Sequence, residues 1–348
     1  MLFGGNVFAE EWSIVAFRDD FNDPIDGMPD ANTWICNHPD NWWWVQGRTF
    51  FPSPVYHPDA TFPIVDNGSC VIEHHHYNPL HLGSPKTTFL GGEIHTLRMF
   101  APITPYRFEA RVKCNPYPNG LVTSFFLYGY DCSNSDEVDF EFVSNKTNDD
   151  VNYPDGDPVL TNPWNESHQK PSYQAPDGLD LTEWNTFRLY WYPDEHRMEW
   201  SWIDPNNGEM FLRTETEAFY VPDEPMGIYF NFWAPTNAWP DAYDANLQPV
   251  SDPNANQIYK YEIDYVEARV PKPTCGDVNH PYPSGDLDYN CYVNMYDCGI
   301  LSTHWLEVAC GGPNCCGGAD LNEDSIVNFA DFSVLAAHWL ECTDPNVP

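Results

Sequence analysis

The chain has 348 residues, a formal charge of −37 from 15 Lys+Arg against 52 Asp+Glu, and an aromatic content of 16%. That charge excludes nucleic acid held through its phosphates and an anionic membrane surface as partners. The length is enough for one large domain and one small one, and aromatics this abundant exclude a disordered acidic chain.

The first nine residues, MLFGGNVFA, read as the end of a secretory signal peptide, with Val7-Phe8-Ala9 as a small-residue cleavage site before Glu10; a frayed terminus is the alternative. No later stretch is apolar for long enough to span a membrane. Eleven cysteines favour export, and their odd number leaves at least one without an intrachain partner. A secreted monomer is expected.

Residues 10–270 contain alternating runs such as RFEARVK, SFFLYGY, EVDFEFV, TFRLYWY, MEWSWID and GIYFNFW, divided by turn clusters such as CNPYPNG and DPNNGE. Short alternating strands without a helical period predict an antiparallel β-sandwich or barrel. Within it, EHHHYN (His74, His75, His76) is read as a polar strand or loop in preference to a metal cluster, because His75 faces away from its neighbours on a strand.

The run SNSDEVDFEFVSN places Glu137, Asp139 and Glu141 at alternate positions, with Val138, Phe140 and Phe142 between them. On a strand the three acids share one face and the apolar residues the other. The outer pair stand about 13 Å apart at Cα, at about 3.3 Å per residue. Side chains leaning together can bring two carboxyls to the about 5–5.5 Å that a retaining glycosidase uses. Crowded like charges raise at least one pKa, leaving one carboxyl protonated as an acid while another stays ionised. A solvated strand face is the plain alternative, although strands disfavour acids at this density.

A linker is expected over 271–285, opening with PKPT, because no Lys or Arg follows Lys272 and seven of the eleven cysteines lie beyond it. Residues 286–348 contain a repeat: DLDYNCYVNMYDCGILSTHWLE (286–307) aligns with DLNEDSIVNFADFSVLAAHWLE (320–341). Loop positions 1, 3, 5, 9 and 12 hold Asp286, Asp288, Asn290, Asn294 and Asp297 in one copy. In the other they hold Asp320, Asn322, Asp324, Asn328 and Asp331. Hard oxygens at these offsets wrap a Ca²⁺ ion, as in an EF-hand loop, each followed by a helix. Position six, normally Gly, is Cys291 and Ser325, which makes the turn harder. Cys298, Cys310, Cys315, Cys316 and Cys342 are read as disulfide staples in preference to zinc ligands, their spacing matching no C-x-x-C pair. The duplicated loop–helix unit resembles a dockerin, which implies a calcium-binding α-helical module and a cohesin-type scaffold protein as partner.

DEVDFEF resembles the E-x-D-x-E signature of glycoside hydrolase family 16, the lichenase/laminarinase-like β-jelly-roll enzymes, and the likeness runs over about 16–270. FRDDFN with Trp34, GGEIHT, YRFEARVK, VTSFFLYG, VLTNPW and IYFNFW fall in that family's order. The resemblance implies an all-β jelly-roll sandwich and a secreted retaining endo-β-glycanase acting on β-1,3/1,4- or β-1,3-glucan. A galactan hydrolase or a non-catalytic lectin are the alternatives, and the hydrolysis itself needs no cofactor. By the same resemblance Glu137 is the nucleophile, Glu141 the general acid/base and Asp139 the modulating acid between them. Glu93 is a sugar-contacting acid, and Phe126, Tyr128, Asn162, Trp164, Asn231 and Trp233 line the groove. Trp239 and one of Trp42, Trp43 and Trp44 are stacking positions on loops. Two departures bear on specificity: His95 stands where lichenases carry Arg, and Ser135 where they carry Trp. The insertion from Asn145 to Pro158 remodels one groove edge. Glu262, Asp264 and Glu267 in YEIDYVEARV imitate a catalytic spacing, but they fall in the last structural strand. They also contain an extra residue that requires a bulge.

Overall fold

A computed structural model describes residues 12–24, 27–37, 44–52, 57, 63–80, 88–130, 135–147, 158–272, 276, 280–310 and 315–345. The expected signal segment, Trp42, Trp43 and most of the Asn145–Pro158 insertion lie outside the described residues. The chain divides into two compact units, one of them Trp12–Val270 and the other containing Pro271–Pro348.

The larger unit is a jelly-roll sandwich of an eleven-stranded and an eight-stranded sheet. In the eight-stranded sheet, the acid-bearing strand Ser135–Val143 runs between Val122–Tyr130 and Val159–Asn165. Beyond Val122–Tyr130 come Gly227–Trp233, Gly92–Thr96 and Trp34–Cys36. All these neighbours are antiparallel. Alternation decides which residues face inward: Val138, Phe140 and Phe142 are at most 1% exposed and share the core between the sheets with Phe125, Phe187 and Phe230, Phe140 meeting the rings of Phe125 and Phe187. The opposite sheet contributes Phe108, Trp191, Trp200 and Trp202. Burying aromatic side chains at about 25 cal/mol per Å² makes this layer the principal source of stability.

One end of the eight-stranded sheet's outer face is covered by a second apolar cluster of Val122, Val143, Leu160, Trp233 and Ala242. The segment that provides this cover is tied down by Arg48, whose guanidinium donates to the carbonyls of Pro235 (2.8 Å) and Leu247 (2.7 Å). Gly47, at φ +57°, lies against Trp233; a Cβ there would meet the indole at 2.9 Å. Among the described residues, Glu137 and Glu141 are half-buried on this face and Asp139 between them is buried.

The strand holding Glu262, Asp264 and Glu267 spans Ile258–Val270 in the other sheet, and its register slips between Ile263 and Tyr265. Glu267 accepts from Arg18 (2.8 Å), Arg107 (3.0 Å) and Arg269 (2.6 Å), and Asp264 from Arg111 (2.6 Å). These acids serve ion pairing on a structural strand. The three histidines do not form a metal cluster: His74 is fully buried between Phe89 and Phe232, against the Thr49 hydroxyl at 3.2 Å. His75 instead meets Glu73 at 2.9 Å. The expected polar strand is thus a strand (Ser69–His75) with histidines packed into its core faces.

In the smaller unit, helices Met295–Thr303 and Phe329–Ala337 each begin with a capping box, Asn294 with Asp297 and Asn328 with Asp331. The repeats exchange backbone bonds crosswise: Leu340 N donates to Val293 O and Leu306 N to Val327 O, both at 2.9 Å. A small core of Val293, Leu301, Val327 and Leu335 forms between them. Cys310 and Cys316 are disulfide-bonded, and Cys291 is also in a disulfide, whereas Cys298 and Cys342, expected as staples, are free thiols. The position-six residues adopt the left-handed turn without being glycine, Cys291 at φ +62° and Ser325 at +71°. The stretch 271–285, expected as linker, is in part module. Tyr282 packs edge-on to Tyr289 (5.1 Å), Thr343 donates to Pro281 O (2.8 Å), and Gly285 abuts Leu335. The correction follows from packing, since Tyr282 gives the short chain an extra ring to cover its loop.

Candidate active site

The acid-bearing strand pairs with both neighbours without a bulge, so its alternation is unbroken. Glu137, Asp139 and Glu141 are therefore delivered to one face, opposite Tyr128, Phe126 and Ser124 on one side and Trp164, Asn162 and Leu160 on the other. Asp139 is held twice. Its carboxylate accepts from Asn162 Nδ2 at 3.3 Å, and its backbone carbonyl accepts the Trp200 indole at 2.9 Å from across the core. At the strand's start, the buried Asp136 points the other way and accepts from the backbone N–H groups of Asp223 (2.9 Å) and Glu224 (3.0 Å), anchoring the neighbouring loop.

Crowding and burial separate the three carboxyls electrostatically. Asp139 is raised well above the usual carboxylate range by burial and then by the charges of Glu137 and Glu141, and it shares a hydrogen bond with Glu137. That bond counteracts the upward pull of burial on Glu137. Glu141 has no such helper; burial and the Glu137 charge push it up to about 8. Burial and the Glu137 charge thus favour a protonated Glu141 at neutral pH. Burial and the neighbouring charges favour the protonated form of Asp139, and its hydrogen bond pulls down a Glu137 carboxyl that burial raises.

A pocket of about 840 Å³ opens on the Glu137 side, lined by Glu93, His95, Phe126, Tyr128, Tyr229 and Asn231 among others. Glu93 is 4% exposed, its carboxylate accepts from Asn231 Nδ2 at 3.4 Å, and its backbone N–H donates to Asn37 Oδ1 at 2.9 Å. Burial raises the Glu93 carboxyl well above its ordinary range, Asn231 opposing and Glu137 adding to the rise. His95 is buried, 3.8 Å from Glu93, and stacks on Tyr229. Two polar atoms at this face have no hydrogen-bond partner among the described residues, Ser124 Oγ and Asn231 Oδ1; a third, Trp233 Nε1, adjoins them. Buried groups of this kind are costly unless a ligand completes them.

The structure brings some of the sequence-predicted positions together and separates others. Glu93, His95, Phe126, Tyr128, Asn231 and Glu137 line one pocket, and Asn162 reaches Asp139. Trp233 and Trp239 pack on each other at 5.9 Å, and Trp239 donates to the Tyr173 hydroxyl at 3.1 Å; they form a wall beyond Glu141. Trp164 is half-buried, and its indole N–H donates to Glu166 O. Trp44 begins a short strand, Trp44–Gln46. Tyr229 and Ser124 were not singled out from the sequence, although each lies on the face of an already recognised strand: Tyr229 two residues before Asn231, Ser124 two before Phe126.

A row of three acids on one sheet face, the first of them lining a ring-lined pocket on a jelly roll, is a site suited to a glycoside hydrolase. Residues 63–267 match the model described as Glycosyl hydrolases family 16, and the chain belongs to that family. Among solved structures it is similar to a prokaryotic β-1,3-1,4-glucanase (lichenase) derived from a mouse hindgut metagenome. The TM-score is 0.51 at 19% identity, covering 74% of this chain and 99% of that one. It is also similar to the catalytic domain of an endo-1,3-β-glucanase (laminarinase) from Thermotoga petrophila RKU-1, with TM-score 0.53 at 16% identity, covering 76% and 100%. At such identities the likeness speaks for the fold. No curated protein matches the chain.

Proposed function

We propose that the protein is a secreted retaining endo-β-glycanase that hydrolyses β-1,3/1,4- or β-1,3-glucan by double displacement. The observation that carries this reading is the placement of Glu137, Asp139 and Glu141 on one face of an unbulged strand with Glu137 lining the pocket, and burial with the Glu137 charge pushing Glu141 up to about 8 agrees with it. In the first step the Glu137 carboxylate attacks the anomeric carbon as Glu141 protonates the departing glycosidic oxygen, leaving a glycosyl ester on Glu137. In the second, Glu141 takes a proton from water as that water displaces Glu137, and hydrolysis restores both carboxyls. Asp139 donates to Glu137 while it is charged and so restrains its pKa. Because the pocket contains Glu137 and not Glu141, the sugar that becomes esterified sits there. No Lys or Arg is among the described residues lining it, which favours a neutral glucan over a sulfated galactan. Product analysis on a polysaccharide panel tests the reading: oligosaccharides of a few sugars should appear from lichenan, barley β-glucan or laminarin and not from carrageenan. Release from sulfated galactan alone would replace the assignment.

The smaller unit is proposed as a calcium-binding, dockerin-like module that takes a cohesin-type scaffold partner. Carboxylate oxygens of Asp286, Asp288 and Asp297 lie within 4.8 Å of one another, a set of hard oxygens suited to Ca²⁺. Asp286 accepts from the position-five and position-six N–H groups, Asn290 at 3.1 Å and Cys291 at 2.7 Å, so the loop already curls around its first ligand. In the second loop Asp320 accepts likewise from Asp324 (3.1 Å) and Ser325 (2.9 Å), with Asn322 in the place of Asp288. Asn294 and Asn328 are the proposed position-nine groups, Asp331 the closing one. Disulfides at Cys291 and between Cys310 and Cys316 support export. Millimolar calcium should raise the melting temperature of the unit by several degrees, chelator should reverse it, and Asp286→Ala should reduce the response. A calorimetric trace insensitive to calcium would refute the metal assignment.

A further inference from the structure

Tyr229 occupies the groove face of the strand Gly227–Trp233 and enters the pocket beside Glu137. Its ring is fixed by neighbours from two other strands. The His95 imidazole lies nearly parallel to it, 4.5 Å between centroids at 13°. Phe126 meets it at 5.1 Å and Tyr128 edge-on at 5.6 Å. Gly227 leaves room for it, since a Cβ there would come within 3.3 Å of the Tyr229 ring. Yet the Tyr229 hydroxyl bonds to none of the described residues, although the ring is half-buried. Burial first, then the charges of Glu93 and Glu137, keep that hydroxyl protonated and able to donate.

A rigid aromatic ring loses little conformational freedom when a ligand arrives, and an unpaired phenol in a pocket is a ready hydrogen-bond donor. His95, the residue at which this chain departs from the lichenase pattern, is only 2% exposed and stands across the strands from Tyr229 with its ring stacked on the phenol, which is the more exposed of the two at the pocket. We propose that Tyr229 is a specificity-determining residue of the subsite beside Glu137, its hydroxyl hydrogen-bonding an oxygen of the bound neutral sugar, and that His95 is its positioning residue. The inference rests on the glycanase reading and deepens it. The sugar bound next to the reacting bond is selected through the Tyr229 hydroxyl.

The test measures kcat and KM on barley mixed-linkage β-glucan and on laminarin for wild type, Tyr229→Phe, His95→Ala and His95→Phe. Tyr229→Phe keeps the ring and removes only the hydroxyl; it should raise KM on the preferred glucan about ten-fold, with kcat within about two-fold, the pattern of lost uniform binding. It should also change the ratio of kcat/KM between the two glucans. His95→Ala should reproduce that shift, and His95→Phe, which restores a flat ring against the phenol, should largely reverse it. A role in folding alone would lower the melting temperature and leave the ratio between glucans unmoved, which would overturn the proposal. So would wild-type KM in Tyr229→Phe. Wild-type protein inert on every glycan would instead sink the glycanase reading on which the proposal stands.

Discussion

Glu137→Gln should reduce the release of reducing sugar from a soluble β-glucan by about 10⁴-fold or more, the scale seen when a covalent nucleophile is removed. The amide keeps the shape of the carboxylate and can still hydrogen-bond Asp139, so the fold should survive and the loss should fall on kcat. The variant has a second expected effect. Glu137 is the charge that, after burial, raises Glu141, so its neutralisation should lower the Glu141 pKa, readable by carboxyl NMR or infrared titration. Hydrolysis by Glu137→Gln indistinguishable from wild type would show that the row of acids is an ordinary strand face.

Glu141→Gln carries the other large effect. On a glucan, whose leaving alcohol needs a proton, kcat should fall by about 10²–10⁴-fold, the usual contribution of a positioned acid. In the wild type, kcat/KM should decline on the alkaline side near pH 8, where Glu141 gives up its proton. The same shift has a consequence for stability. Glu141 has a folded pKa raised from 4.5 to about 8, so the native state holds its proton more tightly than the unfolded chain. The stabilisation is fully present below the unfolded value and is lost as pH rises through about 8. Glu141→Gln, which has no proton to lose, should therefore melt several degrees above wild type at pH 9 and close to it at pH 4. A Glu141→Gln that melts below wild type at pH 9 would contradict the electrostatics described for the row.

The strand arrangement was legible because alternation is a local signal. Val138, Phe140 and Phe142 are apolar and Glu137, Asp139 and Glu141 are not, and an unbulged strand has only one way to bury the first set. The imitation at Glu262, Asp264 and Glu267 could be set aside by its place in the last strand and its extra residue, and the slip between Ile263 and Tyr265 is the bulge its spacing requires. Less legible was whatever depends on distant partners. Trp200 holds the Asp139 carbonyl from 61 residues away, and Arg48 ties a segment almost 200 residues downstream. Neither pairing has a sequence signature. The burial of His74 and His76 was missed because histidine reads as polar, whereas rings of Phe89 and Phe232 accept an imidazole as one more flat side chain. Tyr229 could have been found by counting in twos from Asn231, but its importance depends on His95, a residue that only the sheet pairing brings beside it. In the tail, the loop spacing was plain in the repeat. The participation of Tyr282 and Gly285 was not, because a Pro-rich approach to a module looks like any linker.

The central claim, double displacement through Glu137 with Glu141 as acid and base, is tested most directly by the anomeric configuration of the first product. Proton NMR of the anomeric region in the opening minutes of glucan hydrolysis should show the β-anomer accumulating first, with the α-anomer appearing later at the rate of mutarotation. Initial appearance of the α-anomer would mean a single inverting displacement by water and would contradict the account.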